Sequence, residues 1–145
     1  MRAVVQRVRR GKVSVEGRTV AEIGPGMVIL LGVGHDDAAD TARVLAEKIA
    51  YLRVFEDDQG KMNRSVQDIG GQAIVVSQFT LYADTRKGRR PSFIDAALPD
   101  TARPLVDQFA RVLNDMGVPA QTGEFGAHML VEIENDGPVT IVLEM

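Results

Sequence analysis

Apolar and polar residues alternate in short runs from Arg2 to Ile23, with Val4 and Val8, Val13 and Val15, and Val20 and Ile23 as the apolar members. Alternation of this kind predicts half-buried strands, and Gly11 and Gly17 between the runs predict the hairpins that join them. Gly24-Pro25-Gly26 predicts a turn. The following stretch, Met27-Val28-Ile29-Leu30-Leu31-Gly32-Val33, is a continuous apolar run that suits a central strand buried on both faces. The period then changes. Val44, Leu45, Ile49 and Leu52 fall at helical spacing and predict an amphipathic helix from Asp37 to Leu52, with Asp36 or Asp37 available as its N-cap.

Arg53-Val54-Phe55 predicts a short strand leading into a polar loop, Glu56 to Ser65, with Asp57-Asp58-Gln59-Gly60 as a turn. Ala73 to Val76 predicts another buried strand, ending at Ser77-Gln78. Leu105, Val106, Phe109, Val112, Leu113 and Met116 predict a second helix from Asp100 to Met116, stopped by Gly117 and Pro119, with Pro104 near its first turn. Two strands, His128 to Glu134 and Val139 to Leu143, are expected around Asn135-Asp136-Gly137-Pro138. The fold class expected is α/β of an α+β-like kind: one domain over residues 1–145, with two main helices on a curled, mostly antiparallel or mixed sheet.

Composition narrows the chemistry more than the fold. The 145 residues include no cysteine, which excludes a thiol nucleophile, an iron-sulfur centre and a cysteine zinc site. His35 and His128 stand in neither an HxH nor an HExxH spacing, so no metal or other cofactor is expected, although carboxylate-bound magnesium stays open. No apolar run approaches the roughly 18 residues that span a bilayer, and the start of the chain lacks a signal-peptide pattern. No membrane association is expected, and the cytoplasm is the expected compartment. A net charge of -3, from 17 basic and 20 acidic residues, argues against a protein that coats nucleic acid. It leaves room for local contact, because basic residues cluster at Arg7, Arg9, Arg10 and Lys12 and again at Arg86-Lys87-Gly88-Arg89-Arg90. Neither a GxGxxG nor a Walker segment is present, so nucleoside-triphosphate or dinucleotide chemistry is unsupported.

Two segments hold the candidate chemistry. Ser77-Gln78-Phe79-Thr80-Leu81 lies at the end of a buried strand, where rigidly held loops form sites, although its hydroxyls also suit a strand end that satisfies its own backbone. Ser77 or Thr80 as nucleophile with His128 or His35 as base is an open alternative, but neither hydroxyl stands in a GxSxG elbow. Asn135-Asp136-Gly137-Pro138-Val139-Thr140 is either a hairpin turn or, with a cis bond before Pro138, a device that aims carbonyl groups in a fixed direction.

Taken together with Met1-Arg2-Ala3-Val4-Val5-Gln6-Arg7-Val8, Lys61-Met62-Asn63, the continuation Tyr82-Ala83-Asp84 after Leu81, Lys87-Gly88-Arg89-Arg90-Pro91-Ser92-Phe93 and Phe125-Gly126-Ala127-His128-Met129, these segments identify a resemblance. The chain closely resembles the D-aminoacyl-tRNA deacylases, first known as D-tyrosyl-tRNA deacylases, over essentially its whole length. The resemblance implies a homodimeric editing hydrolase that cleaves the ester of D-aminoacyl-tRNA and also accepts glycyl-tRNA. It implies that Gly137-Pro138 is cis, enters the partner subunit's pocket and excludes L-amino acids by its carbonyl oxygens, with Arg7 helping to fix that motif. It further implies an oxyanion held by the backbone N-H groups of Phe79 and Thr80, a substrate pocket lined by Ser77, Gln78 and Met129, and assistance from the 2′-hydroxyl of the tRNA. Lys87, Arg89 and Arg90 are the residues expected against RNA phosphates. The competing expectations are a hydrolase of another small acyl ester and a non-catalytic dimeric binding module.

Overall fold

The computed structural model describes all 145 residues. Strand β1 (Arg2–Val15) runs unbroken through Gly11, where a hairpin was expected; the hairpin lies at Gly17, before β2 (Arg18–Ile23). Gly11 is a packing glycine, because a Cβ there would lie 2.6 Å from Cγ2 of Val28. At that point β1 changes partner along one edge, from β3 (Gly26–Gly32) opposite residues 2–8 to β2 opposite residues 11–15. The bend this requires begins to curl the sheet.

The chain continues through α1 (Ala39–Ala50), β4 (Phe55–Glu56), β5 (Met62–Arg64), β6 (Gln72–Ser77), a 3-10 turn (Phe79–Tyr82), α2 (Pro99–Asp115), β7 (Ala120–Thr122) and β8 (Leu130–Glu144). The main sheet has the order β2-β1-β3-β6-β7, with β8 along the other edge of β1; β4 and β5 form a separate small pair. Strands β3, β6 and β7 are mutually parallel, whereas β1 is antiparallel to all its partners, so the sheet is mixed. It nearly closes on itself. The Gln121 side chain donates to the Glu22 carbonyl at 2.7 Å and accepts from the Glu22 amide at 3.1 Å, which ties β7 to β2.

Strand β3 is buried on both faces, as its apolar run requires. Met27, Ile29 and Leu31 enter the larger core with Ala42, Leu45 and Ile49 of α1 and Leu105, Phe109 and Leu113 of α2. Val28 points the other way, into a smaller core of Val8, Val13, Ala21, Ile23, Ile74 and Val76 inside the curl. Fully burying one such side chain contributes roughly 1.5–3 kcal/mol.

Several expectations need correction. Neither Asp36 nor Asp37 caps α1; Ala38 occupies that position and its amide donates to Thr41 Oγ1 at 3.2 Å. Asp37 is engaged elsewhere, accepting from the Gly34 amide, the Tyr82 hydroxyl and the amino group of Met1. Helix α2 starts at Pro99, so Pro104 stands in its second turn, on an exposed face where the carbonyl deprived of a partner can meet solvent. Strands β5 and β7 were not expected, and three residues each are too few for a period to show.

The largest correction concerns residues 135–138. They do not form a hairpin, because the segments on both sides belong to one strand, β8, which pairs with β1 throughout in the same antiparallel sense. Gln6 faces Thr140 while Val8 faces Asn135, so residues 136–139 bulge out opposite Arg7.

Candidate active site

The last pairs of the β3 and β6 ladder deliver Ser77 opposite Leu31, and the Gln78 amide then donates to the Leu31 carbonyl at 2.8 Å. Beyond it the chain leaves the sheet as the 3-10 turn. At a helix start the first amides have no intrahelical acceptor, and those of Phe79 and Thr80 donate to no other group of the protein. The turn stands beside a cavity of about 600 Å³, a size that suits a small ligand. Its walls are mostly apolar, with Phe79, Phe93, Leu98, Phe125, Met129 and Val131 among them, and His128 is its one titratable side chain. Phe79 and Phe93 meet edge to face with centroids 5.1 Å apart, and the Arg103 guanidinium lies 4.8 Å from the Phe125 ring centroid.

Ser77, Gln78, Phe79 and Met129 therefore share one cavity wall. Thr80 lies one residue beyond the lining, with its hydroxyl accepting a hydrogen bond from the Gln78 side-chain amide. No hydroxyl–imidazole pair exists. His128 lines the cavity without bonding Ser77 or Thr80, and His35 pairs with the Ile94 carbonyl at 2.6 Å outside the cavity. No group of three or more His, Asp or Glu side chains is placed to hold a metal ion. No helix is long and apolar enough to cross a membrane.

Gly137, Pro138 and Arg7 do not reach this cavity. They form a second arrangement around the β8 bulge, in which the Gly137-Pro138 bond is cis and Gly137 has φ +125°. Arg7 is the buried cation beneath it, only 5% exposed. Its Nε donates to the Asp136 carbonyl at 2.9 Å and its Nη1 to the Val54 carbonyl at 2.7 Å, while the Glu56 carboxylate stands 3.8 Å away. A Cβ on Gly137 would lie 3.0 Å from Arg7 Nη2, so the bulge sits directly on the guanidinium. Gly137 and Pro138 are exposed.

The basic segment forms a closed loop. Asp84 and Ser92 exchange backbone hydrogen bonds at 2.8 and 2.9 Å, and the Asp84 carboxylate accepts from the Arg86 side chain at 2.8 Å and from its amide at 3.0 Å. Those bonds, the side-chain one first, hold the Asp84 carboxyl down at about 2. Arg86 is thus neutralised internally, whereas Lys87, Arg89 and Arg90 form no ion pair. Arg90 lines a shallow depression with Pro91, Ser92 and Phe93, and Phe93 is shared with the main cavity. The aromatic walls at Phe93 and Phe125 carry no role in the sequence reading, although both lie in the quoted motifs.

The chain matches the family described as D-Tyr-tRNA(Tyr) deacylase over residues 4–144. A protein of Heliobacterium modesticaldum named D-aminoacyl-tRNA deacylase is 61% identical over 144 residues, 99% of this chain and 96% of its own length. A protein of the same name from Deinococcus radiodurans is 57% identical over the full length of both chains. Among solved structures, one titled c-Myc DNA Unwinding Element Binding Protein superposes with a TM-score of 0.93 at 41% identity, covering 100% of this chain and 99% of its own. Another, titled as a probable eukaryotic D-amino acid tRNA deacylase, has a TM-score of 0.80 at 18% identity, over 99% of this chain and 98% of its own, and supports the fold alone.

Proposed function

This chain belongs to the D-aminoacyl-tRNA deacylase family, and on that premise we propose how its two arrangements divide the hydrolysis of a D-aminoacyl-tRNA. Water attacks the ester carbonyl carbon, the bond to the ribose 3′-oxygen breaks, and a proton passes to that oxygen. The observation that carries the proposal is the pair of unsatisfied amides at Phe79 and Thr80 beside an apolar cavity with one titratable side chain. An activated ester needs little acid or base; it needs its carbonyl placed and its developing oxyanion stabilised, which fixed N-H donors do best in a water-poor site. The ribose 2′-hydroxyl orients the attacking water. Ser77, Gln78 and Met129 hold the aminoacyl-adenosine end, and the Thr80 side chain serves to orient the turn through Gln78 rather than as nucleophile.

Gly137-Pro138 acts as the chiral filter. The family resemblance implies that the bulge serves the cavity of a second copy, so that the working unit is a homodimer, and the exposure of the bulge away from the cavity of its own chain is in keeping with that reading. Arg7 fixes the carbonyls that an L-side chain would collide with or desolvate, and glycyl-tRNA passes because glycine has nothing to reject. Lys87, Arg89 and Arg90 meet phosphates near the 3′ end, in keeping with the depression that leads from Arg90 to Phe93. The protein works in the cytoplasm.

Deacylation of D-tyrosyl-tRNA, L-tyrosyl-tRNA and glycyl-tRNA by the purified chain tests the filter, with sedimentation equilibrium for the dimer. The D and glycyl esters should be lost and the L ester spared. Equal hydrolysis of the D and L esters would remove the filter, and a monomer retaining full D over L preference would remove its cross-subunit placement. A simple D-amino-acid ester should react much more slowly than D-tyrosyl-tRNA, since it lacks the adenosine.

A further inference from the structure

The 3-10 turn that carries the two amides is poorly supported by itself. It has four residues, none buried, and is closed by Leu81 N to Gln78 O at 3.3 Å and Ala83 N to Thr80 O at 3.0 Å. A single 3-10 turn with such bonds does not hold its shape unaided. Its upstream end is pinned by the Gln78 amide on Leu31. The downstream end is pinned by side chains that never touch the cavity.

Arg2 Nη1 donates to the Leu81 carbonyl at 3.0 Å, and its guanidinium lies 4.4 Å from the Tyr82 ring centroid. Glu144, at the end of β8, aims that guanidinium by accepting from its Nε at 2.9 Å. The Tyr82 hydroxyl donates to Asp37 Oδ2 at 3.3 Å, and the same oxygen accepts from the Gly34 amide at 2.7 Å. Across from the ring there is no space to spare. A Cβ on Gly34 would lie 2.8 Å from the Tyr82 hydroxyl oxygen, and one on Gly32 would lie 3.2 Å from the ring and 3.1 Å from the Gln78 carbonyl oxygen. The ring therefore lies flush against the end of β3, with Arg2 on it, Asp37 at its tip and Glu144 behind Arg2.

We propose that Tyr82, clamped between Arg2, Asp37 and the glycines at the end of β3, is the positioning residue that fixes where the Phe79 and Thr80 amides point. The inference rests on the oxyanion role given to those amides above and adds what aims them. Partial burial of the ring first, and then the Asp37 charge, push the Tyr82 phenol up to about 12, so it remains a donor throughout the neutral range. The brace joins the first residues of β1, the last of β8 and the loop before α1, and so transmits the register of the whole sheet to one turn.

Tyr82→Leu keeps apolar bulk and removes the flat ring and its hydroxyl. It should lower kcat on D-tyrosyl-tRNA about 10- to 100-fold, with KM within about 3-fold, since a misplacement near 1 Å can cost on the order of 100-fold. In the ligand-free protein the amide NMR signals of Phe79 and Thr80 should move. Tyr82→Phe, which keeps the ring, should restore kcat to within about 5-fold by the same reasoning. Arg2→Ala, a half-exposed change remote from the core, should give a smaller loss in the same direction and decides the matter if Tyr82→Leu does not fold. Unchanged kcat in these variants overturns the proposal, as does a kcat loss with both amide signals unmoved. A wild-type chain that spares the D-ester would refute the oxyanion reading instead, and the amide signals would still decide whether Tyr82 sets the turn.

Discussion

The turn Phe79–Tyr82, at the end of β6, and the bulge at residues 136–139, within β8, are both short irregular segments of a well-packed sheet braced by an arginine on a backbone carbonyl, yet they expose different groups. The turn presents amides that donate to nothing in the protein, and it is held from behind by Arg2, which donates to the Leu81 carbonyl and lies on the Tyr82 ring. The bulge is held from beneath by a donor, the buried Arg7, which takes the Asp136 carbonyl while Gly137 and Pro138 stay exposed. One segment suits a developing negative charge and the other suits exclusion. Only the first lines the main cavity, so under the proposed roles bond cleavage and discrimination should be open to separate disturbance.

The largest expected effect comes from the cation under the bulge. Arg7→Ala leaves the Val54 and Asp136 carbonyls without their charged donor and should cost roughly 2–5 kcal/mol of stability, read as a lower urea midpoint. At temperatures where the variant is folded, the D over L preference should fall further than the D rate. Arg7→Lys should recover only part of this, because one ammonium cannot reproduce the guanidinium fork. An unchanged D over L ratio would break the comparison, since the bulge would then have no part in selection. Gly137→Ala is the gentler disturbance of the same region: with φ +125° and Arg7 Nη2 at 3.0 Å from the new methyl, the bulge must shift. Hydrolysis of L-tyrosyl-tRNA should rise about tenfold, the scale of a one-methyl steric discrimination, with the D rate little changed.

Disturbing the turn should do the reverse. Thr80→Val removes the hydroxyl that accepts from Gln78 and keeps the backbone amide. Under a backbone role the D rate should fall less than about 5-fold, far short of the 100-fold or more lost with an oxyanion donor, and D over L preference should hold. A loss of 100-fold or more would return Thr80 to the role of nucleophile.

The two regions were also unequally legible. The run Met27 to Val33 announced a central strand because both of its faces are buried, and the end of β6 at Ser77-Gln78 followed from the same logic. Of the two readings of Asn135-Asp136-Gly137-Pro138 the cis bond is present and the hairpin is not; local composition cannot show that β1 is long enough to pair on both sides of the segment. Gly11 was misread in the same way: close packing on Val28 and a turn demand the same residue type. Nothing local joined Tyr82, Arg2 and Asp37 into one brace, because its members are separated by 45 to 142 positions. The family resemblance pointed to the two candidate segments; the geometry around them came only from the fold.

Smaller effects are expected in the loop that closes beside Phe93. Replacing Lys87 and Arg89 together by alanine should make the salt dependence of deacylation shallower by about 1.4 in logarithmic slope, about 0.7 for each lost single-strand phosphate contact. An unchanged slope would take the loop off the RNA surface.

The smallest effect sharpens the comparison by asking what keeps that loop closed. Asp84 is held at about 2 by Arg86, below the roughly 3.9 of an unfolded aspartate. A lowered carboxyl contributes stability that is fully present above the unfolded value and is lost as pH falls through the folded one. The Asp84–Ser92 closure should therefore persist at pH 5 and loosen only between about 4 and 2, followed by the Ser92 amide signal. Arg86→Ala should raise the Asp84 carboxyl and move that loosening to higher pH. Because Arg86 is spent on Asp84, the same variant should leave the salt slope of deacylation unchanged, in contrast to the Lys87 and Arg89 pair; a shallower slope would place Arg86 on the RNA as well.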